Sequence, residues 1–168
     1  MIFLANRANL DERTLLGRLH KRLATQVDAE ESPIEQVRYH TSSGTKVGVR
    51  ATVDAPTFVG EPYAVDEAEL QVGFELPPNR EYDHYRIQWV ERARELMVGW
   101  HQDPTHPSLG ECHFQLDYRG ETVQRDEATF LDAHPLNVFD RRTDHLGAVL
   151  DAMEWDDDRP FVPKSSVR

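Results

Sequence analysis

The chain has 168 residues, one cysteine and a formal net charge of −11, with 30 acidic against 19 basic side chains. This length suits one domain that buries roughly two thirds of its unfolded surface, and a single cysteine excludes an intramolecular disulfide. Because no apolar run approaches the roughly 20 residues of a membrane-spanning helix and the first thirty residues show no signal-peptide pattern, we expect a cytoplasmic protein with no membrane partner.

The basic residues are unusually rich in arginine. Lysine occurs only at Lys21, Lys46 and Lys164, and the other sixteen basic residues are arginine. An aspartate-rich, lysine-poor composition resembles that of haloarchaeal proteins and predicts a halophilic protein; the alternative is an ordinary acidic protein. In molar salt the Debye length falls to about 3 Å, so the acidic net charge would then oppose a nucleic-acid partner less strongly.

The first predicted element is an amphipathic helix over residues 9–29. Asn9 or Asp11 can cap it, and apolar residues recur at three- and four-residue spacing to form one stripe: Leu16, Leu19, Leu23 and Val27. The opposite face carries a basic cluster, which is either a solvated helix face or a binding surface: Arg13, Arg18, Lys21 and Arg22.

Between Ile34 and Tyr118 the apolar residues recur with a period of two, which predicts about six strands. Gly44, residues 56–62, Pro77-Pro78-Asn79 and Arg119-Gly120 provide turns or loops, and residues 91–94 form a hairpin. One apolar face per strand is typical of an antiparallel sheet that is covered on one side. We therefore predict an antiparallel meander.

A second amphipathic helix is predicted over residues 135–154, followed by an acidic, proline-containing mobile tail over residues 156–168. The two helices and the sheet together predict an α+β fold, in which both helices cover the apolar face of the sheet. Residues 1–155 would form a single domain.

Strand alternation also predicts which polar residues share the other face of the sheet. If Tyr85, Ile87 and Trp89 point to the core, their neighbours point away from it. The same argument applies to the strand that begins near Cys112. One sheet face is therefore expected to carry the binding candidates Arg86, Gln88 and Gln115 together with His113.

The segment WHQDPTHPSL holds the other candidate catalytic residues, His101, Asp103 and His106. A histidine beside a carboxylate can act as a general acid or base near neutral pH. Two alternatives remain open: Asp103-Pro104 and His106-Pro107 can simply initiate turns, or the histidines can bind a metal. The spacing of His101, Asp103, His106 and His113 matches no zinc pattern, so we predict neither a metal nor another cofactor.

The segment from Tyr85 to Leu116 resembles the signature of the TumE-like toxins of prokaryotic toxin–antitoxin pairs. The signature consists of an aromatic strand, a second aromatic-rich strand, a loop with a His-Pro step and a further histidine-bearing strand. Nine residues match in order: Tyr85, Gln88, Trp89, Trp100, Asp103, Pro104, His106, Pro107 and His113. The resemblance covers about residues 85–153, and this chain carries fewer histidines after the loop than the family does.

This resemblance implies a growth-inhibiting effector that acts on RNA or on another translation component and is masked by a cognate antitoxin. If it is an enzyme, a metal-independent ribonuclease is expected, with His106 and His113 in proton transfer, Asp103 orienting a ring and Arg86 on a phosphate. The alternative is a non-enzymatic module that binds a protein or nucleic acid through the polar sheet face and the basic helix face.

Overall fold

The computed structural model describes residues 10–76, 84–132 and 134–167, which form an α+β fold. Its helices are α1 (Glu12–Ala24), α2 (Ala55–Val59) and α3 (Pro135–Asp151). Its strands are β1 (Ile34–Ser42), β2 (Thr45–Asp54), β3 (Glu67–Glu75), β4 (His84–Glu91), β5 (Leu96–Gln102), β6 (Cys112–Tyr118), β7 (Glu121–Glu127), β8 (Glu154–Asp156) and β9 (Arg159–Phe161). None of the helices within these described ranges has the length and apolar content needed to cross a bilayer.

Strands β1 to β7 form one sheet in sequence order, and each pairs antiparallel with the next. The predicted antiparallel meander is therefore confirmed, with seven strands where the sequence predicts about six. The additional strand is β7, in which Val123 is the sole apolar residue. Because β7 pairs with β6 at the end of the sheet, backbone hydrogen bonds hold it without an apolar face, and alternation could not reveal it. The predicted turn at Pro77-Pro78-Asn79 lies outside the described residues.

The N-terminal and C-terminal helices are both present, and both contribute to the hydrophobic core. Helix α1 begins after Asp11, whose carboxylate accepts a hydrogen bond from the Thr14 backbone N–H at 2.8 Å, as an N-cap does. It contacts β1, β2 and β3, whereas α3 contacts β4 and α1. Helix α1 ends at Ala24 and not at residue 29, and α3 ends at Asp151 and not at residue 154.

The C-terminal segment differs from the mobile tail predicted for residues 156–168. Strands β8 and β9 form a hairpin, and the residues after it pack against the domain: Val162 and Val167 are each 1 % exposed. The indole of Trp100 donates a hydrogen bond to the Val167 carbonyl oxygen at 3.2 Å. The acidic run at Asp156 marks a hairpin turn, and two isolated valines, too few to form a pattern, attach the segment to the core.

One shorter stretch also differs from expectation. Residues 56–62, predicted as a turn or loop, include helix α2, and Asp54 caps it by accepting a hydrogen bond from the Thr57 backbone N–H at 2.8 Å. The charged residue Arg142 is also buried, with 1 % exposure. Its guanidinium lies 4.8 Å from the Trp100 ring centroid and donates to the Thr129 carbonyl oxygen at 2.7 Å. This residue therefore belongs to the core.

The turn between β4 and β5 is held by a fully buried carboxylate. Glu91, at 0 % exposure, accepts hydrogen bonds from the Tyr63 hydroxyl at 2.6 Å and from the Trp89 indole at 2.8 Å. Its other oxygen accepts from Nε of Arg94 at 2.5 Å. A buried charge is tolerated when it is paired and hydrogen-bonded, as here, and is costly when one partner is removed.

Replacing this carboxylate by the isosteric amide tests its contribution to stability. We expect Glu91→Gln to lower the free energy of unfolding by roughly 2–4 kcal/mol, because the amide loses the ion pair with Arg94 and turns a donor towards other donors. Chemical denaturation followed by circular dichroism measures the change. The exposed Glu95, in the same turn, supplies the control: Glu95→Gln should change the free energy by less than about 0.5 kcal/mol. Equal effects of the two substitutions would contradict the proposed anchoring role.

Candidate functional site

The strand register aligns the polar candidates in rows across the face of the sheet opposite the core. Arg86, His101 and His113 are paired across β4, β5 and β6, and the next row contains Gln88, Gly99 and Gln115. The predicted common face of Arg86, Gln88, His113 and Gln115 is therefore confirmed as a placement. His101 lies within β5, one residue before its end, and not in the loop that follows.

Gly99 allows β4 and β5 to approach closely in the middle of this face. A Cβ atom at this position would lie 2.3 Å from the Ile87 carbonyl oxygen and 2.8 Å from the Cα of Gln88. Such contacts are with backbone atoms that cannot move aside, so any other residue would disturb the pairing.

Three candidate residues converge at one end of this face. One nitrogen of His101, one nitrogen of His113 and one carboxylate oxygen of Asp103 all lie within 4.8 Å of one another. The His113 ring centroid is 5.3 Å from that of His101 and 5.0 Å from that of His106. We call His101, Asp103, His106 and His113 the histidine cluster.

The loop over residues 103–111 carries two members of the cluster, and its turn chemistry positions them. Asp103 Oδ1 accepts hydrogen bonds from the Thr105 backbone N–H at 2.9 Å and from the Thr105 hydroxyl. His106 precedes a short 3₁₀ turn over Pro107–Leu109. Asp103 therefore has both roles that the sequence suggested. Its Oδ1 accepts the hydrogen bonds of the turn, and its carboxylate is also part of the histidine cluster. Partial burial raises the pKa of Asp103, but the Thr105 hydrogen bonds and the nearby histidines outweigh it, and the pKa lies below its usual value.

His101 is held on one side by Gln88. The Gln88 amide nitrogen, which can only donate, lies 2.7 Å from Nε2 of the ring, so that ring nitrogen accepts. Burial, and secondarily the positive potential of His113, lowers the pKa of His101 to about 4. The ring is therefore neutral at pH 7, and the lone pair of Nε2 accepts the hydrogen bond from Gln88.

His113 is the member that the fold buries most completely. It is 1 % exposed, and neither ring nitrogen forms a hydrogen bond of ordinary geometry with any residue in the described part of the chain. Burial lowers its pKa, the Asp103 carboxylate opposes that effect, and His106 adds to it. Buried polar groups are nearly always hydrogen-bonded. A buried imidazole without such bonds therefore indicates that a binding partner of the ring is missing from the structure.

The remaining binding candidates surround the cluster. Arg86 is exposed and lines a cleft of about 200 Å³ with Gln88, His101 and Asp103. Gln115 is already engaged: its amide oxygen accepts from Nη2 of Arg125 at 2.9 Å, and its amide nitrogen donates to the Asp117 carboxylate at 3.0 Å. Sequence reasoning did not place Arg125 beside the cluster, because β7 itself was missed; the register of β7 against Gln115 brings it there.

The basic face of α1, the alternative binding surface, is partly neutralised within the fold. Arg22 forms an ion pair with Asp140 of α3. Arg18 is exposed, and the His20 ring stacks on Tyr39 with a centroid distance of 4.4 Å. These contacts attach α1 to its neighbours and leave a smaller cationic surface than the sequence suggests.

The pH dependence of stability tests the environment of His101. Its pKa is about 4 in the folded protein and about 6.5 in an unfolded chain, so between these values the unfolded state binds more protons. Stability is therefore expected to fall as the pH decreases from about 6.5 to 4, and the His101→Gln variant should lose part of this dependence in metal-free buffer. Denaturation curves and the ¹⁵N shifts of the ring are the measurements. His20→Gln serves as the control, and a His101 ring that titrates near pH 6.5 would contradict the expectation.

Comparison of the chain with protein-family models, curated protein sequences and solved structures finds no match. The geometry of the histidine cluster and its surroundings is therefore the basis for inferring a function.

Proposed function

We propose that the chain is a toxin-like effector that binds RNA on the polar face of its sheet and acts on it at the histidine cluster. The observation that supports this most directly is the convergence of His101, Asp103, His106 and His113 at one end of that face. The half-buried imidazoles of His101 and His106 lie beside a carboxylate, and these are the groups that proton transfer at a ribose hydroxyl requires. The resemblance of residues 85–153 to the TumE-like family supports the same proposal.

The surroundings of the cluster suit a phosphodiester. Arg86 is exposed in the cleft that His101 and Asp103 also line, and a guanidinium binds phosphate oxygens by charge-assisted hydrogen bonds. Arg125 lies across the sheet, where it donates to Gln115. A single-stranded RNA segment laid along this row would place a phosphate between a cation and the histidines.

The degree of burial determines which histidines of the cluster can contact a substrate. His101 and His106 are half-buried and can meet a substrate, whereas His113 is covered and lies behind them. In the proposed reaction His106 moves a proton at the substrate and Asp103 orients the neighbouring rings. His113 acts through the other members of the cluster, because an RNA hydroxyl does not reach a side chain of 1 % exposure.

Growth of a host that expresses the chain tests the proposal. We expect the wild type to slow growth, and His106→Ala and His101→Ala to restore it, because each substitution removes an imidazole that faces the substrate. Coexpression of the neighbouring gene, which would encode the antitoxin, should also restore growth. Total RNA from the same cultures, and a purified RNA incubated with the protein in low and in molar potassium chloride, would show the cleavage directly.

His20→Ala is the matched control, since it removes a histidine far from the cluster in the sequence and the fold, and it should leave growth inhibition unchanged. Growth that is equally normal with the wild type and all variants would end the toxin proposal. Inhibition that survives His101→Ala and His106→Ala but is lost in Arg18→Glu would favour the interaction module instead.

A further inference from the structure

We infer that His101, Asp103 and His113 form a binding site for one divalent transition-metal ion, best matched by Zn²⁺. Two imidazole nitrogens and one carboxylate oxygen lie within 4.8 Å of one another, and this ligand set is that of catalytic zinc sites, which keep one position open for water or substrate. The inference goes beyond the proposed function and does not depend on it, because metal binding would stand whatever the substrate is.

The separations of the rings fit a common ion. Two imidazoles on a tetrahedral Zn²⁺, with Zn–N distances of about 2.0–2.1 Å, place their ring centroids roughly 5 Å apart. The observed centroid distances are 5.3 Å for His101 and His113 and 5.0 Å for His106 and His113. Small rotations of the side chains would therefore bring the ligand atoms onto one ion, with no change in the strands.

The burial of His113 is an independent argument for a ligand. Neither ring nitrogen forms a hydrogen bond of ordinary geometry with a described residue, although the side chain is 1 % exposed and the Gln115 side chain lies close to it. Glu91, a fully buried ionisable group elsewhere in the same sheet, has three donors around it. An unpaired buried polar group costs about 1–3 kcal/mol, and a metal ion in the cluster would provide the missing partner for one nitrogen.

The elements that carry the ligands are suited to a metal centre. His101 and His113 lie directly opposite each other on β5 and β6, so the backbone ladder sets their separation. The Gln88 amide lies 2.7 Å from Nε2 of His101. Turned so that its oxygen accepts from that nitrogen, it would fix the ring and leave the other ring nitrogen for the ion, as outer partners of metal-bound histidines do. Asp103 closes the group from the loop, where Thr105 holds it.

The nature of the ligands determines the class of ion. Imidazole nitrogen suits Zn²⁺ and its first-row neighbours, whereas Mg²⁺ and Ca²⁺ prefer sites made of oxygen ligands. His106 is the one cluster member outside the three-residue set, and it contacts His113. It remains available for proton transfer beside the ion or as a fourth ligand.

Zn²⁺ binding to the purified full-length chain, measured by competition with a chromophoric chelator and by elemental analysis, tests the inference. We expect about one Zn²⁺ ion per chain, and affinity at least tenfold weaker in His113→Gln and in Asp103→Asn. Co²⁺ should give the visible bands of a four- or five-coordinate site in the wild type and lose them in both variants. His20→Gln should bind Zn²⁺ as the wild type does.

Circular dichroism separates loss of the site from loss of the fold. His113 is buried and its substitution can destabilise the chain, so Asp103→Asn, in the exposed loop, is the decisive variant. Affinity unchanged in Asp103→Asn and in His113→Gln, or less than about one tenth of an ion per wild-type chain, would overturn the inference. Zn²⁺ binding without growth inhibition would refute the proposed function alone, and growth inhibition without Zn²⁺ binding would refute the metal site alone.

Discussion

The buried carboxylate of Glu91 constrains the part of the molecule on which the candidate site depends. It joins Tyr63, Trp89 and Arg94 at the turn between β4 and β5. That turn determines how the two strands pair, and a shift of one residue would turn every side chain of a strand to the opposite face. The positions of Arg86 and His101 opposite each other therefore follow from a charge buried at the other end of the same hairpin.

The helices cover only one face of the sheet, and this explains why polar residues can cluster on the other face. The helices contribute apolar residues to one core cluster, while the opposite face presents arginine, glutamine and histidine in adjacent rows. On such a face most polar groups find a neighbour, as Gln115 does with Arg125 and Asp117. His113 differs from them, because it forms no hydrogen bond of ordinary geometry with a described residue, and the inferred ion would supply a partner.

Much of the fold could be predicted from the sequence, because its strands alternate clearly. Apolar residues at every second position indicate both the strands and the face that each side chain occupies, which is why the row containing Arg86 and Gln88 was predicted. The strand Glu121–Glu127 is not predicted from the sequence, because an edge strand with one valine shows no alternation of apolar and polar residues. The packing of the final residues is not predicted for a related reason. Val162 and Val167 are isolated apolar residues among prolines and charges, and their burial depends on contacts distant in sequence.

The sequence indicates which residues belong to the candidate site better than it indicates how they are arranged in space. Histidines on a strand and in a proline-bounded loop were visible as candidates, but the sequence spacing from His101 to His113 conceals that the two residues are direct neighbours across a strand pair. Metal patterns defined by spacing along one segment cannot detect ligands that are brought together by register. The turn interpretation of Asp103 was likewise not an alternative to a site, since the hydrogen bonds from Thr105 leave the carboxylate within the cluster.

The site has one part whose geometry is fixed by the pairing of two strands, which carry His101 and His113, and one part that lies in a loop. The same register that buries Trp100 and Phe114 on one face sets positions 101 and 113 side by side on the other. The loop over residues 103–111 is under no such restriction. Changes in its length or composition could exchange Asp103 or His106 for other groups, and new specificities could arise there without cost to folding.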